Sequence, residues 1–387
     1  MTKGRCKKDQ RVLMAMDTSE KRQTKAKVKE KPKVGTSTKG SKSTGTEGVN
    51  RSCTKKEKGL GLKDVEKKVL NYIIGQDKQV RQIVTAIYRA MRMKTIKSNV
   101  LIIGSSGTGK TETITQIAKK LGIPYTIEDA TKYTQEGYCG DDVNDMITNL
   151  LENAKGDVKK AQQGLIVIDE IDKKTGQEGY GDRDVSGVEV LKSLLKIVEG
   201  TVLKVTLPDD SDEEKTIKFN TKNLIIIFLG AFSGLEKIRD KRLNANPMGF
   251  KGYATTKDVQ QSRFLKKDLV KYGMPEEFVG RIDTIIEMNK LTKEDLALIL
   301  KRSRLSIYRK YQKELKELGV KLYHKRDLFE CIAKESLSLD TGARELSNTV
   351  NYMFENIMYE ILSDPGKYTK CVLSSEIVHD NTKYELL

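Results

Sequence analysis

The spacing of apolar positions changes several times along the chain, and each change marks an element. Over DVEKKVLNYIIGQDKQVRQIVTAIYRAMRM (64–93) they recur at helical intervals, with an interruption near Ile74 and Gly75. NVLIIG (99–104), GLIVID (164–169) and NLIIIFLG (223–230) are short unbroken apolar runs, the pattern of strands buried on both faces of a parallel sheet. TETITQIAKKL (111–121) returns to helical spacing directly after the first of these runs. Strands alternating with helices predict an α/β domain with a doubly wound parallel sheet over residues 61–287. From Leu291 the period stays helical: LTKEDLALILKRSRLSIYRKYQKELKELG reads as one helix opened by a Thr292–Asp295 capping box. RDLFECIAKESL and ARELSNTVNYMFENIMYEIL supply two more helices, so residues 288–387 are expected to form a small, mainly helical domain. PDDSDEEKTIKF (208–219) reads as an acidic hairpin or an exposed connection and GQEGYGDRD (176–184) as a mobile loop, neither expected to join the core.

Composition qualifies this picture at one end of the chain. Residues 1–60 hold 18 Lys/Arg against 6 Asp/Glu, most of the formal net charge of +17. The stretch lacks the apolar residues that would offset the entropy of ordering it, and is expected to be a disordered basic tail. Its charge permits nonspecific contact with nucleic acid, but no aromatic residues are interleaved for stacking, so a solvated extension is the expectation. Five cysteines without C-x-x-C spacing and two histidines argue against structural zinc or a disulfide scaffold. No apolar run is long enough to cross a membrane, and the default placement is cytoplasmic.

Candidate chemistry lies at the ends of the strands. Gly104, Ser105, Ser106, Gly107, Thr108, Gly109, Lys110 and Thr111 fit the phosphate-binding loop, and the motif stands in its required context between a strand and a helix. Backbone N–H groups converge on phosphate oxygens in such a loop; Lys110 meets the outer phosphates and the Thr111 hydroxyl holds magnesium. Glu112 completes the candidate nucleotide-binding stretch. Asp169 and Glu170 follow the strand 165–168, where an open α/β sheet presents its ligands. Asp169 is expected to support the magnesium and Glu170 to polarise the attacking water, which points to ATP hydrolysis.

Several longer strings then converge: YIIGQ (72–76), DATKYTQEGYCGDDV (129–143), AQQGLIVIDEIDK (161–173), RDVSG (183–187), LLKIVEGT (194–201), GAFSGLEKI (230–238), PEEFVGR (275–281) and TGAREL (341–346). Together they make residues 65 to about 380 resemble the ClpX family, AAA+ protein unfoldases that work as hexameric rings. The resemblance implies an AAA+ P-loop NTPase fold, ATP and magnesium as ligands, and ATP-driven translocation of tagged or unfolded polypeptide through a homohexameric pore. It implies that Tyr138 and Cys139 tip the first pore loop, Arg183, Asp184 and Val185 belong to the second, and Ile73 and Ile74 line the adenine pocket. Arg281 matches the arginine that reaches the neighbouring subunit's nucleotide, and Arg344 the sensor arginine of the small domain. Met248-Gly249-Phe250 stands where the family carries the Ile-Gly-Phe that docks the ClpP peptidase.

Two departures bear on these expectations. Residues 1–60 hold only Cys6 and Cys53, so the family's four-cysteine zinc-binding domain is not expected in them, and an acidic segment, PDDSDEEK, stands where the family has the basic element of the pore entrance. Two rival readings remain: a stand-alone remodeller of protein complexes that does not use ClpP, and a nucleic-acid-dependent ATPase that uses the basic tail.

Overall fold

Three strands form where the apolar runs place them, β1 (Asn99–Ile103), β3 (Leu165–Asp169) and β6 (Ile225–Gly230); β2 (Tyr125–Asp129), a pair β4 (Val202–Leu207) and β5 (Lys215–Asn220), and β7 (Thr284–Glu287) form without such a run. The computed structural model describes residues 60–93, 97–133, 144–175, 185–207, 215–244, 262–338 and 342–387. Outside them lie the basic tail, Tyr138, Cys139, Arg183, Asp184, residues 208–214 and Met248-Gly249-Phe250, and the side chain of Val185 is likewise not described.

Strands β2-β3-β6-β1-β7 form one sheet in that order, with every pairing parallel. Side chains alternate across the pleat, so each strand serves two cores. Val100, Ile102, Val167 and Ile227 face α1 (Leu62–Val69), α2 (Asp77–Arg92) and α3 (Lys110–Leu121), whose Val65, Ile83, Val84, Ile114 and Ile117 are buried with them. Leu101, Ile166, Ile168 and Phe228 face the other way, toward α4 (Asp145–Asn153), the short α5 (Val158–Ala161) and α6 (Val185–Glu199), where Ile147, Leu150, Leu191 and Leu194 pack. This is the doubly wound arrangement of an AAA+ P-loop NTPase. Among the described residues no helix is long and apolar enough to cross a membrane.

One expectation for the acidic connection is corrected. β4 and β5 pair antiparallel, Leu203 opposite Phe219 and Val205 opposite Ile217, and Phe219 and Val205 are fully buried in the α6-side core. The part of 208–219 that follows the acidic run therefore joins the core. Alternation is the reason: Ile217 and Phe219 share one face of β5, and Thr216 and Lys218 the other.

After β6 come α7 (Leu235–Asn244), two short helices, Lys266–Tyr272 and Glu276–Gly280, and then β7. A buried ion pair binds this region together. Arg242 is bidentate to Asp268, Nε to Oδ1 at 2.8 Å and Nη2 to Oδ2 at 2.9 Å, and Nη2 also donates to the Arg263 carbonyl. Asp268 is wholly buried and also accepts from the Leu265 N–H at 2.8 Å. Asp268→Ala strands the guanidinium in the interior, and we expect it to lower unfolding free energy by about 3–5 kcal/mol. Urea denaturation of parent and variant measures this, and a loss below about 1 kcal/mol would show that the pair is not needed.

Residues from Leu291 onward build a third hydrophobic cluster of their own, centred on Leu296, Leu315, Ile332, Val350, Phe354 and Ile357. The capping box at Thr292 and Asp295 is present, each backbone N–H donating to the other's side chain. The helix it opens is shorter than expected. It ends at Arg302 and a second helix starts at Ile307, because Ser303 and Ser306 turn inward. Ser303 Oγ donates to the Tyr72 carbonyl at 2.6 Å and Ser306 Oγ to the Leu300 carbonyl at 2.7 Å. Helices Leu328–Ser338 and Ala343–Ser363 follow as expected. Strands β8 (Lys321–His324), β9 (Lys370–Leu373) and β10 (Tyr384–Leu386) add a three-stranded sheet that the helical spacing did not announce.

Candidate functional site

The loop Gly104–Gly109 leaves the carboxyl end of β1, which lies between β6 and the edge strand β7, and α3 begins at Lys110. Gly104 lies so close to Met288 that a Cβ there would stand 2.8 Å from the Met288 Cβ, so the loop's first residue must be glycine. Thr108 Oγ1 donates to the Ser105 carbonyl at 2.8 Å and braces the turn from within. Lys110 folds over this loop, its Nζ donating to the carbonyls of Gly104 at 2.5 Å and Ser105 at 3.0 Å. Burial lowers the pKa of Lys110; Asp169 pulls it back and Arg344 adds to the lowering. The ammonium is therefore placed where an anion relieves it, as the outer phosphates of a nucleotide do.

β3 runs beside β2 and β6 and brings its carboxyl end to the same edge. Thr111 Oγ1 donates to Asp169 Oδ2 at 2.8 Å, joining residues far apart in the chain. A hydroxyl and a carboxylate oxygen so close together suit a hard cation that keeps most of its waters, so the two fit magnesium. Glu170 follows with its N–H donating to Asp169 Oδ1 at 2.9 Å. Its φ of 57° is a left-handed conformation that a non-glycine side chain adopts at a cost, and the residue is exposed at the strand exit.

Contacts from the C-terminal helices close the site from the other side. The Ala343 N–H donates to the Gly107 carbonyl at 3.2 Å. Gly342, at φ 62°, packs so closely that a Cβ would stand 3.1 Å from the Ser106 carbonyl oxygen. Arg344 comes next on the helix Ala343–Ser363, within electrostatic reach of Lys110. Beside this contact an apolar cleft of about 180 Å³ is lined by Ile73, Ile74, Gly107, Leu291, Leu300, Ala343 and Leu346, with Glu112 at its border. Its size and lining suit a flat base.

Arg281 does not join this group. Its carbonyl accepts from Asn99 Nδ2 at 2.9 Å, which places it at the amino end of β1, with the phosphate loop at the other end. Four residue steps along a parallel strand separate the two ends by about 13 Å. The site thus assembles Lys110, Thr111, Asp169, Glu170 and the Arg344 helix, and leaves Arg281 at the far edge of the same sheet.

Two residues that no catalytic pattern singled out hold the site together. Gln76 is fully buried, donates to the carbonyls of Thr108 and Asn289, and accepts from the Asn289 N–H, so it bolts the phosphate loop to the segment leading out of β7. The string YIIGQ contained it, but its role is visible only through Asn289, distant in sequence. Asp172 is buried and accepts from the Phe232 N–H at 3.0 Å, fastening the exit of β3 to that of β6.

Comparison with known proteins agrees with this geometry. The AAA domain (Cdc48 subfamily) family matches residues 95–285. The ATP-dependent Clp protease ATP-binding subunit ClpX of Borrelia duttonii (strain Ly) is 37% identical over 331 residues, covering 81% of this chain and 77% of that protein. The subunit of the same name from Treponema denticola is 34% identical over 333 residues, 81% of this chain and 80% of that protein. The one from Bacteroides fragilis (strain YCH46) is 34% identical over 351 residues, 84% and 83%. With the phosphate loop, the Asp169–Glu170 pair and the parallel sheet in place, the chain belongs to the ClpX family of AAA+ ATPases.

Proposed function

We propose that the protein is an ATP-dependent protein unfoldase that works as a homohexamer and passes polypeptide through a central pore to a ClpP-like peptidase. The observation that supports this reading is the separation of Arg281 from the Lys110–Thr111–Asp169 cluster of the same chain, which in this reading leaves the arginine to serve the nucleotide of an adjacent copy. In this reading Lys110 holds the outer phosphates of substrate ATP and Glu170 takes a proton from the attacking water. Arg281 from the adjacent copy steadies the charge that develops on the transferring phosphoryl group. Thr111 and Asp169 would hold magnesium, which neutralises phosphate charge when bound. Because Ala343 is bonded directly to the phosphate loop, a change at the phosphates reaches the C-terminal helices through Arg344 and that contact.

The pore residues in this proposal are Tyr138 and Cys139 of the first loop and Arg183, Asp184 and Val185 of the second. Met248-Gly249-Phe250 is the peptidase-docking tripeptide, its methionine keeping an apolar anchor where the family has isoleucine. Placement in the cytoplasm belongs to the same proposal. The second reading, a remodeller that acts without ClpP, draws on that methionine, which departs from the family's isoleucine.

The test is unfolding of a tagged fluorescent protein with and without ATP, with and without ClpP, and with Tyr138→Ala. We expect fluorescence to fall only with ATP and only with Tyr138 present, and the ClpP arm to convert unfolding into degradation. Unfolding without degradation selects the remodeller. ATP hydrolysis with no loss of fluorescence for acidic or basic tags alike overturns the unfoldase reading, and stimulation of hydrolysis by DNA or RNA then supports a nucleic-acid-dependent motor.

A further inference from the structure

The Arg281 side chain is half exposed, yet it is not left to wander. Its Nη2 meets Glu199 Oε1 at 2.5 Å, in a pair whose side chains are 51% and 36% exposed. Glu199 is the last residue of α6, and the backbone on both sides of the pair is anchored by one residue. Asn99 Nδ2 donates to the Val198 carbonyl at 3.4 Å and to the Arg281 carbonyl at 2.9 Å. Asn99 is itself fixed at the foot of β1, its N–H donating to Asp283 Oδ2 at 2.8 Å and its carbonyl accepting from the Asp283 N–H at 2.9 Å. Lys97 reinforces the same end of α6, its Nζ donating to the carbonyls of Ile197 and Thr221.

An ion pair this exposed adds little to stability, about 0–1 kcal/mol. A guanidinium, however, has five donors in a rigid fork, and a carboxylate on one nitrogen sets where the rest of the fork points. Resting on the reading of Arg281 given above, we propose that Glu199 is a positioning residue that presents the Arg281 guanidinium to the nucleotide of the adjacent copy. In this proposal the carboxylate acts on turnover through Arg281, and it also lies within electrostatic reach of Lys97.

The experiment is a double-mutant cycle on ATP turnover by assembled protein, with Glu199→Gln, Arg281→Ala and the two together, measuring kcat and KM separately. Glu199→Gln is expected to lower kcat about 10- to 100-fold, the scale of a misplaced catalytic group, with KM for ATP and the melting temperature near the parent's. In the Arg281→Ala background the same change is expected to do nothing more. A parent-level kcat in Glu199→Gln beside a strongly impaired Arg281→Ala overturns the positioning role alone. An additional loss in the double variant, or a change confined to KM, shows that Glu199 acts elsewhere and overturns it too. A parent-level kcat in Arg281→Ala overturns the reading of Arg281 and this inference with it.

Discussion

Glu170→Gln is expected to bind ATP nearly as tightly as the parent while turning it over about 10²- to 10⁴-fold more slowly, the span of a lost general base. The substitution keeps the shape and the left-handed backbone that Glu170 already adopts at φ 57°, and removes only the basicity of the side chain. Affinity is expected to survive because the groups in the phosphate loop and the apolar cleft are untouched: Lys110 over Gly104 and Ser105, Thr111 against Asp169, and Ile73 and Ile74 in the cleft. Calorimetric titration with ATP and a phosphate-release assay on one preparation separate the two effects. Turnover within about threefold of the parent would move the role of base elsewhere and leave Glu170 as a strained turn residue.

Arg281→Ala is expected to lower kcat by about 10³-fold or more, the range of an arginine acting on a transferring phosphoryl group from another chain. Its position makes a sharper expectation available than loss alone. A copy with Arg281→Ala has an intact nucleotide cluster, and a copy with Glu170→Gln has an intact Arg281 at the opposite edge of its sheet. In mixed rings, about one interface in four then joins an intact cluster to an intact arginine, so two inactive preparations are expected to regain activity on mixing. The measurement is phosphate release against mixing ratio, with each variant alone as the control. No recovery in rings shown to be mixed would mean that Arg281 serves its own chain through a rearrangement, or serves no nucleotide at all.

Much of the fold was legible before any coordinates. NVLIIG, GLIVID and NLIIIFLG read as buried parallel strands because such strands are apolar on both faces, and all three sit in the sheet. The phosphate loop was legible because its function lies in backbone conformation, and the closely spaced Gly104, Gly107 and Gly109 write that into a few neighbouring residues. The position of Asp169 and Glu170 at the exit of β3 was legible because the apolar run GLIVI ends there, and strand ends are where an open α/β sheet presents ligands. The break at Ser303–Ser306 was not, because helical spacing continues through it and the deciding bond goes to the carbonyl of Tyr72. Phe219 was missed because an acidic run hid a strand whose inward face is set by its partner β4.

What the sequence by itself determined about this protein is therefore the set of local states: which stretches are strands, where the loop turns, and which side chains are chemically fit for a triphosphate. What only the tertiary structure decided is which of them meet. The insertion of β6 between β3 and β1, the bond from Thr111 to Asp169, the bolt from Gln76 to Asn289 and the pairing of Glu199 with Arg281 each join residues distant in the chain. Local periodicity reports whether a residue will be buried, since burial depends on the face it occupies. It carries no record of its partner, because that choice follows from closing the sheet and satisfying every buried polar group at once.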